Sequence, residues 1–352
     1  MVEEENDMQR KVKLGVIGAG GFSTYHLDGI RLAENCEAIA ICDVDLDKAK
    51  KQAEKYKIES VYQDYHELLA REDIEAVTLP LPDQVHKQIT VDALRAGKHV
   101  LCEKPMALSL EDCKEMIDAA KETGKLLMVG QIGRYTPCFN KAIEMVNSGE
   151  IGELFFVESE YAHDYAHIGG AGGWRVTPER HPVVGGGCHA VDLLRRIAGN
   201  PQEVFAYANH KVLKDWPVED CTVAVMKFPN NVIGKVMCSI GCKRKYTMRT
   251  VIYGSKGTLI VDSKLPYITL YRDHFSDEEH LKDRWQQEIG MEIQVPIDDH
   301  NFMGEVTDFC NAVIEGRLVQ CTGEEGAVTV AACLAIVESA RKGEKVEIKY
   351  DL

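Results

Sequence analysis

The chain has no uninterrupted apolar stretch near the roughly 20 residues that a membrane-spanning helix needs, which excludes a multi-pass membrane protein. Internal repeats and low-complexity segments are absent. Hydrophobic residues make up 45% and charged residues 28% of the chain, so a disordered tail or a collagen-like fibre is excluded as well. Positive charge is in short supply: 41 Lys and Arg stand against 56 Asp and Glu, a formal net charge of −15. A chain this acidic repels a phosphate backbone, which argues against nucleic acid as a partner. Its one basic run, Lys243-Arg244-Lys245, reads as a solvated strand or turn. The opening MVEEENDMQRK is polar and mostly acidic, the pattern of a frayed leader and not of a secretory signal. No CxxC pair occurs among the 12 cysteines. Cys42, Cys102 and Cys333 sit in apolar runs, where thiols act as small hydrophobes. Free thiols, a reducing compartment and a cytoplasmic location are therefore expected, with no membrane partner. Cys238 and Cys242 lie in a strand-like segment, where their spacing does not put them on one helical face, and no metal site is expected there.

What is present is a regular alternation. The 352 residues suggest two domains. VKLGVIGAG, CEAIAICD, IEAVTLPLP, KHVLCEKP and KLLMVGQ read as five buried strands. Between them lie helices such as DKAKKQAEKYK, VHKQITVDALRAG and SLEDCKEMIDAAKETG, the last opening on Ser109 with Asp112 three residues on, close to a capping box. Strands alternating with helices predict a parallel, doubly wound α/β sheet over 1–130. From Val204 the chain turns strand-rich, with EVFAYANHK, CTVAVMKFPN, VIGKVMCSIG, RTVIYGSKGTLIVD and YITLYR joined by short turns. That favours a large, mainly antiparallel sheet in an α+β domain over 131–352. The tail helices are expected to pack back towards the first domain.

Gly18-Ala19-Gly20-Gly21-Phe22-Ser23 sits at the first strand-to-helix turn. The fingerprint at such turns needs a glycine for the tight bend, a second where the backbone meets a pyrophosphate, and a small third residue, here Ser23. The helix N-terminus that follows favours an anion. Asp43 ends the second strand, placed to accept hydrogen bonds from both ribose hydroxyls of an adenosine; its charge would repel a 2′-phosphate, so NAD is favoured over NADP. Asp45 and Asp47 read as the cap and first turn of the next helix.

Three stretches resemble the Gfo/Idh/MocA family of nicotinamide-dependent oxidoreductases: GVIGAGGFSTYH with ICD, ALRAGKHVLCEKP with Glu103-Lys104-Pro105, and GGGCHAVDLLRRIAG with His189 and Asp192. The tail TGEEGAVTVAACLAIVESARKGEKVEI is similar to the family's closing helix and strand, so the resemblance covers nearly the whole chain. It implies an N-terminal Rossmann domain and a C-terminal α+β substrate-binding and oligomerisation domain, with NAD as cofactor. It makes Lys104 the group that polarises a substrate oxygen and His189 the general base, with Asp192, one helical turn on, contacting substrate hydroxyls. Glu103, Pro82 and His86 fall near the nicotinamide end of the cofactor. Polyol-oxidising members carry an Asp four residues before the histidine; here that position is Gly185, and His181 or Asp192 would have to orient the base instead. This argues against a plain inositol dehydrogenase.

The irregular segment YAHDYAHIGGAGGWRVTPERHPVVGGGCH carries the aromatic, His and Arg side chains expected of a sugar pocket. His163, His167, Trp174 and Arg175 are its candidate substrate contacts, and Tyr135 joins them from the end of the fifth strand. His163 and His167 have a spacing that suits zinc on a helix, but Gly-Gly follows directly, and no metal is expected. The function expected is oxidation of a secondary hydroxyl of a sugar, glycoside or polyol to a ketone, or the reverse. A non-net-redox enzyme with retained NAD and a catalytically silent NAD-binding sensor are the alternatives. An exposed sheet face and the family together suggest a homodimer or homotetramer.

Overall fold

The computed structural model describes residues 10–168, 173–272, 290–298 and 300–351. The acidic leader at 1–9 and residues 169–172 of the glycine-rich loop lie outside the described residues. The chain divides into two compact units. One comprises the residues through Tyr135 with Asn301–Val330, the other Thr136–His300 with Ala331–Asp351.

The first unit holds a six-stranded parallel sheet built from β1 (Val12–Ile17), β2 (Cys36–Cys42), β3 (Ser60–Tyr62), β4 (Ala76–Leu79), β5 (His99–Glu103) and β6 (Leu127–Gly130), in the order β3-β2-β1-β4-β5-β6. Strands covered on both faces must be apolar nearly throughout, and β4 and β6 are buried at every position. The helices are α1 (Ser23–Leu32), α2 (Leu46–Tyr56), α3 (Tyr65–Leu69), α4 (His86–Arg95) and α5 (Leu110–Thr123). Their ends follow local chemistry. Asp45 caps α2 through the Lys48 N–H, and Ser109 caps α5 by accepting from the Asp112 N–H at 3.1 Å. The edge strand β3 escapes sequence reading because its three residues are only half-buried and give no periodic signal. Strand order reverses between β1 and β4, where ligands bind in open α/β sheets, beyond the carboxyl ends of the strands.

The second unit holds α6 (Pro137–Asn147), β7 (Leu154–Ala162), α7 (Cys188–Ala198) and the strands β8 (Glu203–Asn209), β9 (Cys221–Lys227), β10 (Ile233–Ser239), β11 (Thr247–Gly254), β12 (Gly257–Asp262), β13 (Tyr267–Arg272), β14 (Met291–Gln294) and β15 (Val346–Glu347). With β7 they form a nine-stranded sheet in the order β14-β13-β12-β11-β7-β10-β9-β8-β15. The sheet is antiparallel except where β10 runs parallel to β7. Side chains alternate cleanly: along β9, Thr222, Ala224 and Met226 are buried while Val223 and Val225 are exposed. α7 packs on β7 and β10. Tyr207, Val223, Val225 and Ile233 leave an apolar surface exposed. The helix α8 (Phe302–Glu315) completes the first unit by packing on α1, and α9 (Gly323–Lys342) follows it. Among the described residues no helix is long and apolar enough to cross a membrane.

Candidate active site

Gly18 follows β1 directly with φ +109°, a region that suits glycine. A Cβ there would lie 2.8 Å from the Pro80 carbonyl oxygen, so the turn after β1 closes tightly on the end of β4. A Cβ at Gly20 or Gly21 would meet nothing within 4 Å, which leaves the backbone open above the turn. Ser23 donates to the Gly20 carbonyl at 2.6 Å and holds the start of α1, and no acidic side chain lies in its first turn. An open glycine turn and a helix start free of carboxylates fit a dinucleotide pyrophosphate. Asp43 is half-buried beside it, one oxygen accepting from the Ala19 N–H at 2.7 Å and the other from the Asp45 N–H at 2.8 Å. Each oxygen keeps a lone-pair direction for a ribose hydroxyl.

At the ends of β4 and β5 a buried chain of hydrogen bonds fixes the backbone that carries Lys104. Thr78 contacts His26 at 2.6 Å, His26 contacts Glu103 at 2.9 Å, and the second Glu103 oxygen accepts from the Lys104 N–H at 3.1 Å. Burial raises the Glu103 pKa, but the His26 hydrogen bond and the charges of His26 and Lys104 outweigh it, so the net shift is down. The Lys104–Pro105 peptide is cis. His86 lies fully buried beneath the turn, with its ring nitrogens 2.9 Å from the Pro105 carbonyl and 3.0 Å from that of Leu81. It clamps the loop that includes Pro82 to the Lys104 turn. Burial opposes its charge, yet Cys102, Asp83 and the Pro105 carbonyl lift its pKa to about 10. Tyr135 is buried, and its hydroxyl donates to Asp308 on α8 at 2.7 Å.

Glu305, on the same face of α8 as Phe302 and Asp308, escapes sequence reading. It is 0% exposed, and neither carboxyl oxygen has a hydrogen-bond partner. Burial, reinforced by Glu103 and Asp308, raises its pKa well above the carboxylate range, with Lys104 pulling the other way. The fold therefore holds a proton that the unfolded chain releases above pH ~4.5, and stability falls as pH rises until the folded pKa is reached. Replacing Glu305 with Gln removes that slope. As pH rises above ~4.5, wild type is expected to lose stability relative to Glu305→Gln, as followed by chemical unfolding. Parallel pH profiles would refute a protonated Glu305.

In the second unit His189 is the second residue of α7 and is buried, its ring stacked on Tyr161 at 6.2 Å. The π-helical turn Val183–Gly187 that precedes it needs its glycines for packing. A Cβ at Gly186 would sit 2.6 Å from the Tyr161 ring, and one at Gly185 would sit 2.3 Å from the Arg180 guanidinium. Arg180 also donates to the Gly185 carbonyl at 3.1 Å. A guanidinium thus fills the space where an orienting carboxylate at position 185 would stand. The carboxylate–histidine pair lies elsewhere: His181 contacts Glu219 at 3.2 Å and accepts from the Val183 N–H at 3.1 Å. The His181 hydrogen bond holds the Glu219 pKa down at about 2. Asp192, one turn after His189, is buried and pairs with Arg195 at 3.4 Å. Burial keeps Tyr161 a neutral phenol; its hydroxyl contacts that of Tyr165 at 2.8 Å and His163 at 3.3 Å.

The Arg175 guanidinium lies 4.0 Å from the centre of the Trp174 ring, and that of Arg180 lies 5.1 Å away, so this ring holds two cations close to it. Residues 163–168 form turns, not the helix that a His-x-x-x-His zinc pair would need, and His167 is exposed. Among the described residues no three metal-ligating side chains gather.

A doubly wound sheet with a glycine turn open above its switch point, and a carboxylate at the end of the next strand, defines a dinucleotide-binding protein. The chain belongs to the Gfo/Idh/MocA oxidoreductases: residues 12–131 match the oxidoreductase family with an NAD-binding Rossmann fold, and residues 139–260 match the GFO/IDH/MocA C-terminal domain. It is 26% identical over 350 residues to the myo-inositol 2-dehydrogenase of Thermotoga maritima, covering 96% of this chain and 99% of that protein. It is 27% identical, over 96% of this chain and 99% of the relative, to the 1,5-anhydro-D-fructose reductase of Ensifer adhaerens. The structure of a levoglucosan dehydrogenase in complex with NADH shares the fold, with a TM-score of 0.87 over 97% of this chain and 100% of that one at 21% identity.

Proposed function

We propose that the protein is an NAD-dependent dehydrogenase that oxidises a secondary hydroxyl of a sugar, glycoside or polyol to a ketone, or runs the reverse reduction. The observation that carries this is Lys104, half-buried just past the carboxyl end of β5 on backbone tied through Glu103 to His26 and Thr78. An ammonium held there is pre-organised to polarise a substrate oxygen. Family membership and the sugar and inositol names of the relatives support the substrate class. Within that class we favour a pyranoside ring carbon as the site of oxidation.

In this reading residues 1–130 bind the nucleotide and 131–352 the sugar. Gly18, Gly20, Gly21, Phe22, Ser23 and Asp43 hold the adenosine and pyrophosphate. Pro82, His86 and Glu103 shape the nicotinamide end. A bound nicotinamide supplies the hydride acceptor. His189 withdraws the hydroxyl proton onto its ring, and Lys104 steadies the oxygen as negative charge grows. Trp174, Arg175, His163, His167, Asp192 and Tyr135 orient the sugar. The apolar surface at Tyr207, Val223, Val225 and Ile233 is the proposed contact of a homodimer or homotetramer.

The test is a panel of inositols, free sugars and glycosides incubated with NAD, followed by the near-ultraviolet absorbance of reduced nicotinamide. One class is expected to reduce NAD. Silence across the panel would overturn net oxidation of those substrates. NAD retained through purification would then point to transient oxidation, and NAD binding with unchanged substrate to a sensor.

A further inference from the structure

The neighbours of the buried His181 ring leave it a single arrangement. The Val183 N–H can only donate, so the His181 Nδ1, 3.1 Å away, must accept. The ring proton then sits on Nε2, 3.2 Å from a Glu219 carboxylate oxygen. That contact holds the Glu219 pKa at about 2, so the group facing Nε2 is a carboxylate, which can only accept. Of the two neutral tautomers only this one satisfies both neighbours. The other tautomer, like the imidazolium, would set a proton on Nδ1 against the Val183 N–H.

This ring closes the start of the turn that leads to the proposed base. Helical turns open on N–H groups that have no partner within the helix. Here the Val183 N–H goes to the His181 ring, and those of Val184 and Gly185 go to the His181 carbonyl at 2.9 and 3.0 Å. One residue thus takes the first three N–H groups of the π-helical turn Val183–Gly187. α7 follows directly at Cys188, and His189 is its second residue. A Cβ at Gly186 would meet the Tyr161 ring and one at Gly187 would meet Cys238, so the other side of the turn lies against β7 and β10. Tyr161 is also the ring on which His189 stacks. Glu219 is anchored in its turn through Asp220. The Asp220 N–H donates to the Asn209 carbonyl at 3.1 Å, and its carboxylate accepts from the Val212 and Leu213 N–H groups at 2.6 and 2.7 Å. All of these residues belong to the second unit.

We infer that Glu219 and His181 are positioning residues for His189: Glu219 selects the His181 tautomer whose Nδ1 accepts from Val183, and that hydrogen bond fixes the turn from which α7 and His189 continue. The pair acts through the backbone, where a carboxylate at position 185 would act by direct contact. This rests on the reading of His189 as the base, and the test separates the two.

The test measures kcat, KM and NADH affinity for wild type, His181→Ala, His181→Asn, Glu219→Ala and Glu219→Gln, with the inositol, free sugar or glycoside that reduces NAD. His181→Ala is expected to lower kcat by about 10–100-fold, the cost of a slightly misplaced reacting group, with KM and NADH affinity within about twofold of wild type. An asparagine Oδ1 can accept from the N–H two residues on, as Nδ1 does here, so His181→Asn should recover most of that loss. Glu219→Ala releases the other tautomer and should lower kcat by about tenfold. A glutamine carbonyl still accepts from Nε2, so Glu219→Gln should recover most of it. Hydrogen exchange of the Val183, Val184 and Gly185 amides follows the turn, and their protection should fall and recover together with kcat across the four variants. A fall in one without the other overturns the inference, as does wild-type kcat in both alanine variants or a loss carried by KM alone. If nothing in the panel reduces NAD, the reading of His189 as base fails for those substrates, and the pair is judged by exchange and by ¹⁵N imidazole spectra. A bare Nδ1 and protonated Nε2 at His181, with protection lost in both alanine variants, support its hold on the turn. A protonated Nδ1, or protection that survives, overturns it.

Discussion

Replacing His189 with alanine is expected to lower kcat by about 10²–10⁴-fold, the usual contribution of a positioned general base, while NAD binding persists. The size follows from the surroundings. His189 is buried against Tyr161, whose phenol burial keeps neutral, so that ring cannot take over as a base. Gly185 brings no carboxylate, since Arg180 fills its space, and His181 is engaged with Glu219. Replacing Lys104 with alanine should cost on the order of 10²–10³-fold through lost stabilisation of the substrate oxygen. The two effects should combine less than additively, because groups that act on one proton transfer work as a unit. The measurement is kcat for each single variant and the double variant on whichever substrate reduces NAD, with thermal unfolding to show that each variant folds. Activity close to wild type in His189→Ala would remove it from the chemistry. The same result in Lys104→Ala would leave Lys104 an ordinary loop lysine.

The parts of this site that sequence reveals are those whose chemistry is local. The Gly18–Ser23 turn, the Asp45 and Ser109 caps and the alternation along β9 each depend on residues a few positions apart, so their pattern survives in one dimension. The pairs that hold the site are distant in the chain. His26 and Glu103 are 77 residues apart and meet only because β5 lies two strands from β1 in the sheet. Glu305 looks like one more helical glutamate, and only the packing of α8 on α1 shows its carboxyl to be buried without a partner. Gly185 shows the same limit. As a sequence position it is a missing carboxylate, whereas the fold shows the Arg180 guanidinium lying where a Cβ would go. The sequence pattern also overstates regularity: the His163–His167 spacing suits a helix, but the Asp164 carboxylate accepts from the Ala166 N–H and turns the chain instead.

Asp43→Ser is expected to weaken NAD binding by about 10–100-fold, since hydrogen bonds to a charged group contribute roughly 1.5–3 kcal/mol and each 1.4 kcal/mol is tenfold. Serine is the informative replacement. Asparagine would set an amide N–H against the N–H of Ala19 or Asp45, both of which now donate to the carboxylate, and so would disturb the turn itself. Serine is short and removes the charge without adding a donor conflict at both oxygens. NADP should lose less than NAD, or gain, because the carboxylate that repels a 2′-phosphate is gone while the phosphate can still reach the Ala19 and Asp45 N–H groups it leaves behind. Fluorescence titration with NADH and NADPH reads both affinities without any substrate, so the outcome does not depend on the identity of the substrate. If Asp43→Ser leaves the NADH-to-NADPH affinity ratio where wild type has it, Asp43 serves the turn and not the ribose, and cofactor choice must be set by groups other than this carboxylate.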